Sequence, residues 1–127
     1  VYYGGTLVQD IPSQWPGAVP HVDTNRYEQL THELHFMPGS RLSDIYGYEP
    51  RWVTSIHHQC VDRLGSGLVL EARSPIDLVP EGIRHTGHRF VLGVQWHPEH
   101  PDRRVPDAPL LAAFVAAAGR FAAATGA

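Results

Sequence analysis

At 127 residues the chain is long enough for one domain with its own hydrophobic core, and an apolar share of 43% against a charged share of 18% excludes a disordered polyelectrolyte. A formal charge of −3, with the ten basic residues scattered, gives no electrostatic ground for binding nucleic acid or an anionic membrane. No apolar stretch reads as long enough to cross a bilayer, nothing at the start reads as a signal peptide, and the single cysteine, Cys60, can form no internal disulfide, so a reducing cytoplasm is the expected setting.

Val1-Tyr2-Tyr3 before Gly4-Gly5 reads as the last turn of a helix with its glycine stop, so a preceding segment is expected. Gln9 to Pro20 holds three prolines and reads as a loop. Thr31 to Met37 is a strand ended by Pro38-Gly39. Ser40 is placed to cap a short helix that runs to Tyr46 and stops at Gly47. Trp52 to His57, rich in β-branched and aromatic residues, reads as a second strand, and Leu68 to Arg73 as a third, entered through Gly65-Ser66-Gly67. Glu81 to His85 and Arg89 to Gln95 flank Thr86-Gly87-His88 as a hairpin. The nearly unbroken apolar run Phe90 to Val94 suits a strand buried on both faces. Leu110 to Ala124 is a helix with Pro109 near its first turn and apolar positions at Leu110, Leu111, Phe114, Val115 and Phe121. No repeat or internal boundary interrupts this order, and the pattern is that of one α/β unit over residues 1–127.

Chemistry concentrates in Gly93-Val94-Gln95-Trp96-His97-Pro98-Glu99. An apolar strand delivers His97 at its carboxyl end, where open α/β sheets hold their ligands. Glu99, two residues on, can orient the imidazole and stabilise its protonated form, while Pro98 restricts the backbone between them. The plain alternative is a loop histidine beside a solvated glutamate. Nine histidines also raise a metal reading through the pairs His32 with His35, His57 with His58, and His85 with His88. His32 and His35 point to opposite faces of a strand, no cysteine pair or zinc-protease helix motif is present, and no metal or other cofactor is expected. Cys60 reads as a small buried hydrophobe.

The segment 93–99 resembles the signature that closes the catalytic triad in class I glutamine amidotransferase-like proteins. Gly4-Gly5-Thr6-Leu7-Val8-Gln9-Asp10-Ile11, Ser55-Ile56-His57-His58-Gln59 and Glu71-Ala72-Arg73-Ser74-Pro75 are similar to blocks of one branch, the gamma-glutamyl-gamma-aminobutyrate hydrolases, in the same order. The resemblance implies the C-terminal part of a three-layer, flavodoxin-like domain. It also implies hydrolysis of a small γ-glutamyl amide by a Cys-His-Glu triad. His97 would be the base and acid, Glu99 its orienter, and Ser55, His57 and Gln59 would lie at the substrate's glutamyl end.

Two departures stand out. The family's Gly-x-Cys-x-Gly turn would precede the Gly-Gly-Thr-Leu block, so the expected partner is the N-terminal half of the same domain, and these residues alone are expected to be inactive. The family's Asp-Gly turn reads here Ile76-Asp77-Leu78, which predicts a different turn. The other readings are a non-catalytic remnant or binding module of the same fold, the glutaminase part of an amidotransferase, and a histidine-rich metal-binding protein.

Overall fold

The computed structural model describes residues 1–26, 29–99 and 108–126. The chain runs β1 (Thr6–Val8), α1 (Ile11–Gln14), β2 (Thr31–Phe36), α2 (Arg41–Tyr46), β3 (Arg51–Thr54), β4 (Cys60–Arg63), β5 (Leu68–Arg73), β6 (Pro80–His85), β7 (Leu92–Val94) and α3 (Ala108–Thr125). Five strands form one sheet in the order β3-β2-β5-β6-β7, every neighbouring pair antiparallel, and β1 pairs with β4 in a separate ribbon.

Alternation along β2 turns His32 and Leu34 inward, where Leu34 joins Leu42, Val53, Ala72, Trp96 and Leu110 in the main core. A smaller core of Val8, Ile11, Cys60 and Val79 lies between the β1–β4 ribbon and the start of β6. Between β5 and β6 the chain turns through Ser74–Val79, with the Ser74 N–H donating to the Val79 carbonyl at 3.0 Å. Leu78 sits there at φ +63°, the left-handed region that glycine normally fills.

Local signals explain most elements. The Ser40 hydroxyl accepts from the Ser43 N–H at 3.0 Å, and Gly47 at φ +87° ends α2 while its N–H donates to the Ser43 carbonyl at 2.9 Å. A second free N–H of α2, that of Leu42, is met from another strand by the Glu71 carboxylate at 3.0 Å. The opening residues form a turn closed by Gly4 N–H on the Val1 carbonyl at 2.8 Å, with Gly4 at φ +80°.

Four expectations are corrected. The Gln9–Pro20 loop contains the short helix α1, because proline is tolerated in a first helical turn and Asp10 caps it through the Ser13 N–H. The second strand stops at Thr54, since the Ser55 N–H leaves the ladder to donate to the Leu30 carbonyl at 2.9 Å. β7 is three residues long and lies at the margin of the five-stranded sheet, partly exposed rather than covered on both faces. Finally, α3 is long and apolar enough to cross a membrane by length and composition alone, with 18 residues at a mean hydropathy of 1.5. Its alanines raise the average, but one arginine and one glycine interrupt it. Only Leu110 of α3 is buried, and Leu111, Phe114, Val115 and Phe121 are all at least 50% exposed.

Candidate functional site

β7 carries the motif segment to the rim of the sheet. The Gln95 N–H donates to the Glu81 carbonyl at 2.9 Å, which extends the pairing of β6 with β7 by one more residue. Trp96 then inserts into the main core beside the Tyr46 ring, 6.5 Å between centroids. These two anchors hold the chain on which His97 stands. His97 Nδ1 lies 2.8 Å from Glu99 Oε1. A carboxylate only accepts, so Nδ1 carries the proton and Nε2 presents its lone pair. The imidazole is 39% exposed, which leaves it reachable by a reacting group.

Ser55, His57 and Gln59 follow β3. Ser55 is buried, and its hydroxyl donates to the His21 carbonyl at 2.8 Å. The His57 N–H donates to the same carbonyl at 3.0 Å, while His57 Nδ1 donates to the Gln59 carbonyl at 3.0 Å. Both side chains therefore face inward and brace the loop. Gln59 is exposed, with Nε2 donating to Gln9 Oε1 at 3.1 Å. Gln95, which sequence reasoning treated as part of a strand, joins this loop to the His97 segment: its Nε2 donates to the Gln59 carbonyl at 2.8 Å. A cleft of about 320 Å³ opens here, lined by Leu7, Ile56, His57, His58, Gln59 and Gln95 among others. A larger cleft of about 960 Å³ lies elsewhere, between α3 and the β6–β7 turn, with Phe90, Phe114 and Phe121 on its walls. Neither lining includes His97 or Glu99, but the smaller cleft is bounded by Gln95, two residues before His97, and by the 56–59 loop, whereas the larger one touches neither segment.

Beneath the loop, three imidazoles surround one carboxylate. Glu81 Oε1 lies 3.4 Å from His21 Nδ1, 3.3 Å from His32 Nε2 and 3.2 Å from His57 Nε2. His21 also holds Asp77 Oδ2 at 2.9 Å through Nε2. Burial pushes His32 below the usual imidazole range, whereas for His21 the Glu81 and Asp77 carboxylates outweigh burial and raise it. Burial works to raise both carboxyls, yet Glu81 is held below its ordinary value by the surrounding histidines. Asp77 is held at about 2 by the neighbouring Ser74 hydroxyl and by hydrogen bonds from His21 and the Val19 N–H. Two of the sequence-adjacent histidine pairs are split, with His35 and His58 exposed, while His85 and His88 stay together, 4.5 Å between ring centroids, away from the group; His21, part of no pair, completes it.

Cys60 opens β4 within the smaller core, 2% exposed. Burial first, and then the nearby Glu81, Asp62 and Asp77 carboxylates, push its thiol up to about 11. It is a buried hydrophobe in this fold, as expected.

Two solved structures share the arrangement. The glutaminase domain of Trypanosoma brucei CTP synthase, solved with acivicin bound, matches 71% of this chain and 39% of its own at a TM-score of 0.60 and 22% identity. A Thermoplasma acidophilum protein assigned to GMP synthase matches 99% of this chain and 54% of its own at a TM-score of 0.68 and 16% identity. The fold is thus the α/β fold of class I glutamine amidotransferase domains. The Peptidase C26 family matches residues 1–99, and the chain belongs to that family. A Mycobacterium tuberculosis protein assigned to the glutamine amidotransferases is 36% identical over 122 residues, 96% of this chain. The chain spans 37% of that relative's length.

Proposed function

We propose that this chain supplies the base and its orienter for hydrolysis of a γ-glutamyl amide bond. The observation that carries the reading is the 2.8 Å contact of His97 Nδ1 with Glu99 Oε1 beyond the carboxyl end of β7, two residues after Gln95, which lines an open cleft. In the proposed reaction, His97 Nε2 removes the proton of a cysteine thiol. The thiolate attacks the γ-carbonyl, and the amine leaves with the proton held on His97. A glutamyl thioester remains, and water activated by the same nitrogen hydrolyses it to glutamate. Glu99 keeps the productive tautomer throughout. The nucleophile is not Cys60, whose thiol is buried and nearly fully protonated at neutral pH. We assign it to a further segment of the same domain, the N-terminal half, so these residues alone turn nothing over. The exposed apolar side chains of α3 and the margin strand β7 support such a partner, and so does the partial coverage of the two solved domains.

Gln59 and the exposed His58 face the cleft and are assigned to the glutamyl end of the substrate, with Ser55 and His57 positioning their loop. The favoured substrate is γ-glutamyl-γ-aminobutyrate, on the strength of the His-His-Gln and Gly-Gly-Thr-Leu blocks, and the favoured location is the cytoplasm. The similarity to a protein assigned as a glutamine amidotransferase favours a second reading, in which glutamine is the substrate and ammonia passes to a synthase. Glutamate release by the whole protein from γ-glutamyl-γ-aminobutyrate and from glutamine, each with and without a synthase, separates the two. Release from neither leaves only a non-catalytic member of the fold and refutes both.

A further inference from the structure

We propose that His21, His32, His57 and Glu81 form a buried site for a divalent transition-metal ion, with zinc the best match to the donor set. The four come from separate parts of the fold: the α1–β2 connection, β2, the β3–β4 loop and β6. Their facing donor atoms all lie within 4.8 Å of one another. Neither the triad reading nor the family assignment is needed for the argument.

The outward nitrogen of each ring is already committed. His21 Nε2 meets Asp77 Oδ2 at 2.9 Å, His32 Nδ1 meets the Glu33 carbonyl at 2.9 Å, and His57 Nδ1 meets the Gln59 carbonyl at 3.0 Å. All three partners accept, so each outward nitrogen carries the proton, and in a neutral ring the inward nitrogen is then a bare lone pair. Three lone pairs and a carboxylate thus converge in a buried space. His32 Nε2, His57 Nε2 and both Glu81 oxygens make no aligned hydrogen bond there. The Ser55 hydroxyl, 3.3 Å from His21 Nδ1, sends its proton to the His21 carbonyl instead. Leaving such groups bare is costly, and a cation at their centre satisfies all of them.

The Glu81–histidine distances, three of the six edges of the group, fit a metal ion better than shared protons. Imidazolium–carboxylate hydrogen bonds shorten to about 2.7–2.9 Å. The three contacts here are 3.2, 3.3 and 3.4 Å. A tetrahedron with metal–ligand bonds of about 2.0–2.1 Å has edges of about 3.3–3.4 Å. Four protein ligands with no open position make a structural site rather than a catalytic one. The outward Asp77, Glu33 and Gln59 acceptors are the outer shell that such histidines require. Its effect is to clamp the 55–59 loop to β6 below the His97 segment.

The test is metal uptake by the whole protein, using Zn²⁺ alone and Co²⁺ as a spectroscopic probe. Expected are one zinc retained per chain through dialysis, a visible Co²⁺ spectrum of tetrahedral intensity that zinc abolishes, and a higher Tm with zinc. X-ray absorption should find a first shell of nitrogen and oxygen only. His57→Ala and Glu81→Gln should lose retained zinc, and Asp77→Asn should weaken binding about 10–100-fold as an outer-shell change does. His35→Ala and His88→Ala should bind as the wild type does. Should the ligand variants fail to fold, the wild-type stoichiometry, Co²⁺ spectrum and X-ray absorption decide the matter. Folded wild-type protein that takes up neither ion, gives an octahedral Co²⁺ spectrum, or loses zinc in His35→Ala or His88→Ala overturns the proposal. Lack of amidase activity in a protein that retains zinc would count against the proposed function and leave this site standing.

Discussion

Gln95 Nε2 donates to the Gln59 carbonyl at 2.8 Å, and this bond joins the strand end that presents His97 to the loop that lines the cleft. Removing it with Gln95→Leu keeps the volume and frees the loop. One hydrogen bond of about 1 kcal/mol corresponds to roughly a 5-fold change, so kcat/KM should fall by about that factor. On the proposed roles, in which the loop binds and His97 reacts, the loss should appear mainly in KM. A fall confined to kcat would show instead that Gln95 acts on His97 itself.

His97→Ala would remove the proposed proton-transfer group and should lower kcat of the whole protein by about 10²–10⁴, the usual contribution of a positioned acid–base residue. Glu99→Gln should cost less, since His97 keeps its place and loses only its preferred tautomer and charge partner. Steady-state glutamate release measures both. Equal activity of His97→Ala and wild type would remove His97 from the mechanism.

Cys60 supplies a prediction from its raised thiol, at about 11. At pH 8 only about one thiol in a thousand would be thiolate, so alkylation of the folded protein should be slow and should accelerate on unfolding. The sign for stability follows. A thiol with a raised folded-state value favours the fold below its unfolded value of about 8.5, and that contribution is lost as pH rises towards 11. Mass spectrometry of native and urea-unfolded samples checks the labelling, and fast native labelling would refute the buried assignment.

The sequence made α2, β5, the β6–β7 hairpin and α3 legible because each carries a local signal: a capping serine with a closing glycine, an apolar start entered through Gly65-Ser66-Gly67, a glycine turn, an alanine-rich period. His97 and Glu99 were legible because they lie two residues apart. His21 was not. It stands in a proline-bounded connection, and its partners Asp77 and Glu81 are 56 and 60 positions away, so no spacing rule could join them. Glu71 was hidden for the same reason, since a glutamate in the middle of a strand reads as a solvent-facing position.

Glu71 is buried, with Oε2 accepting the Leu42 N–H at 3.0 Å and Oε1 accepting Arg84 Nε at 2.8 Å. Glu71→Ala should destabilise the protein by about 2–4 kcal/mol, because it strips a helix N–H of its acceptor and leaves Arg84 unpaired. Glu71→Gln should cost less, as the amide oxygen can still accept from Leu42. Urea unfolding monitored by tryptophan fluorescence gives both values, and an unchanged midpoint for Glu71→Ala would show that α2 does not depend on this cap.

Leu78 is the non-glycine residue at positive φ among the described residues, at +63°. A left-handed backbone costs an L-residue about 1–2 kcal/mol. The side chain is 51% exposed and recovers little of this by burial. Leu78→Gly relieves the strain, although the freer unfolded chain takes back about 0.4–1 kcal/mol. The net expectation is a stabilisation of about 0.5–1 kcal/mol, or a Tm higher by roughly 2–4 °C for a domain of this size. The turn is held from both ends by the Ser74 N–H on Val79 and the Leu78 N–H on Ser74, at 3.0 and 3.1 Å, so glycine should enter the same geometry. Because Asp77 lies beside Leu78 and orients His21, zinc retention should be unaffected if the turn keeps its shape. A lower Tm in Leu78→Gly would mean that the half-exposed leucine contributes more through packing than its backbone costs.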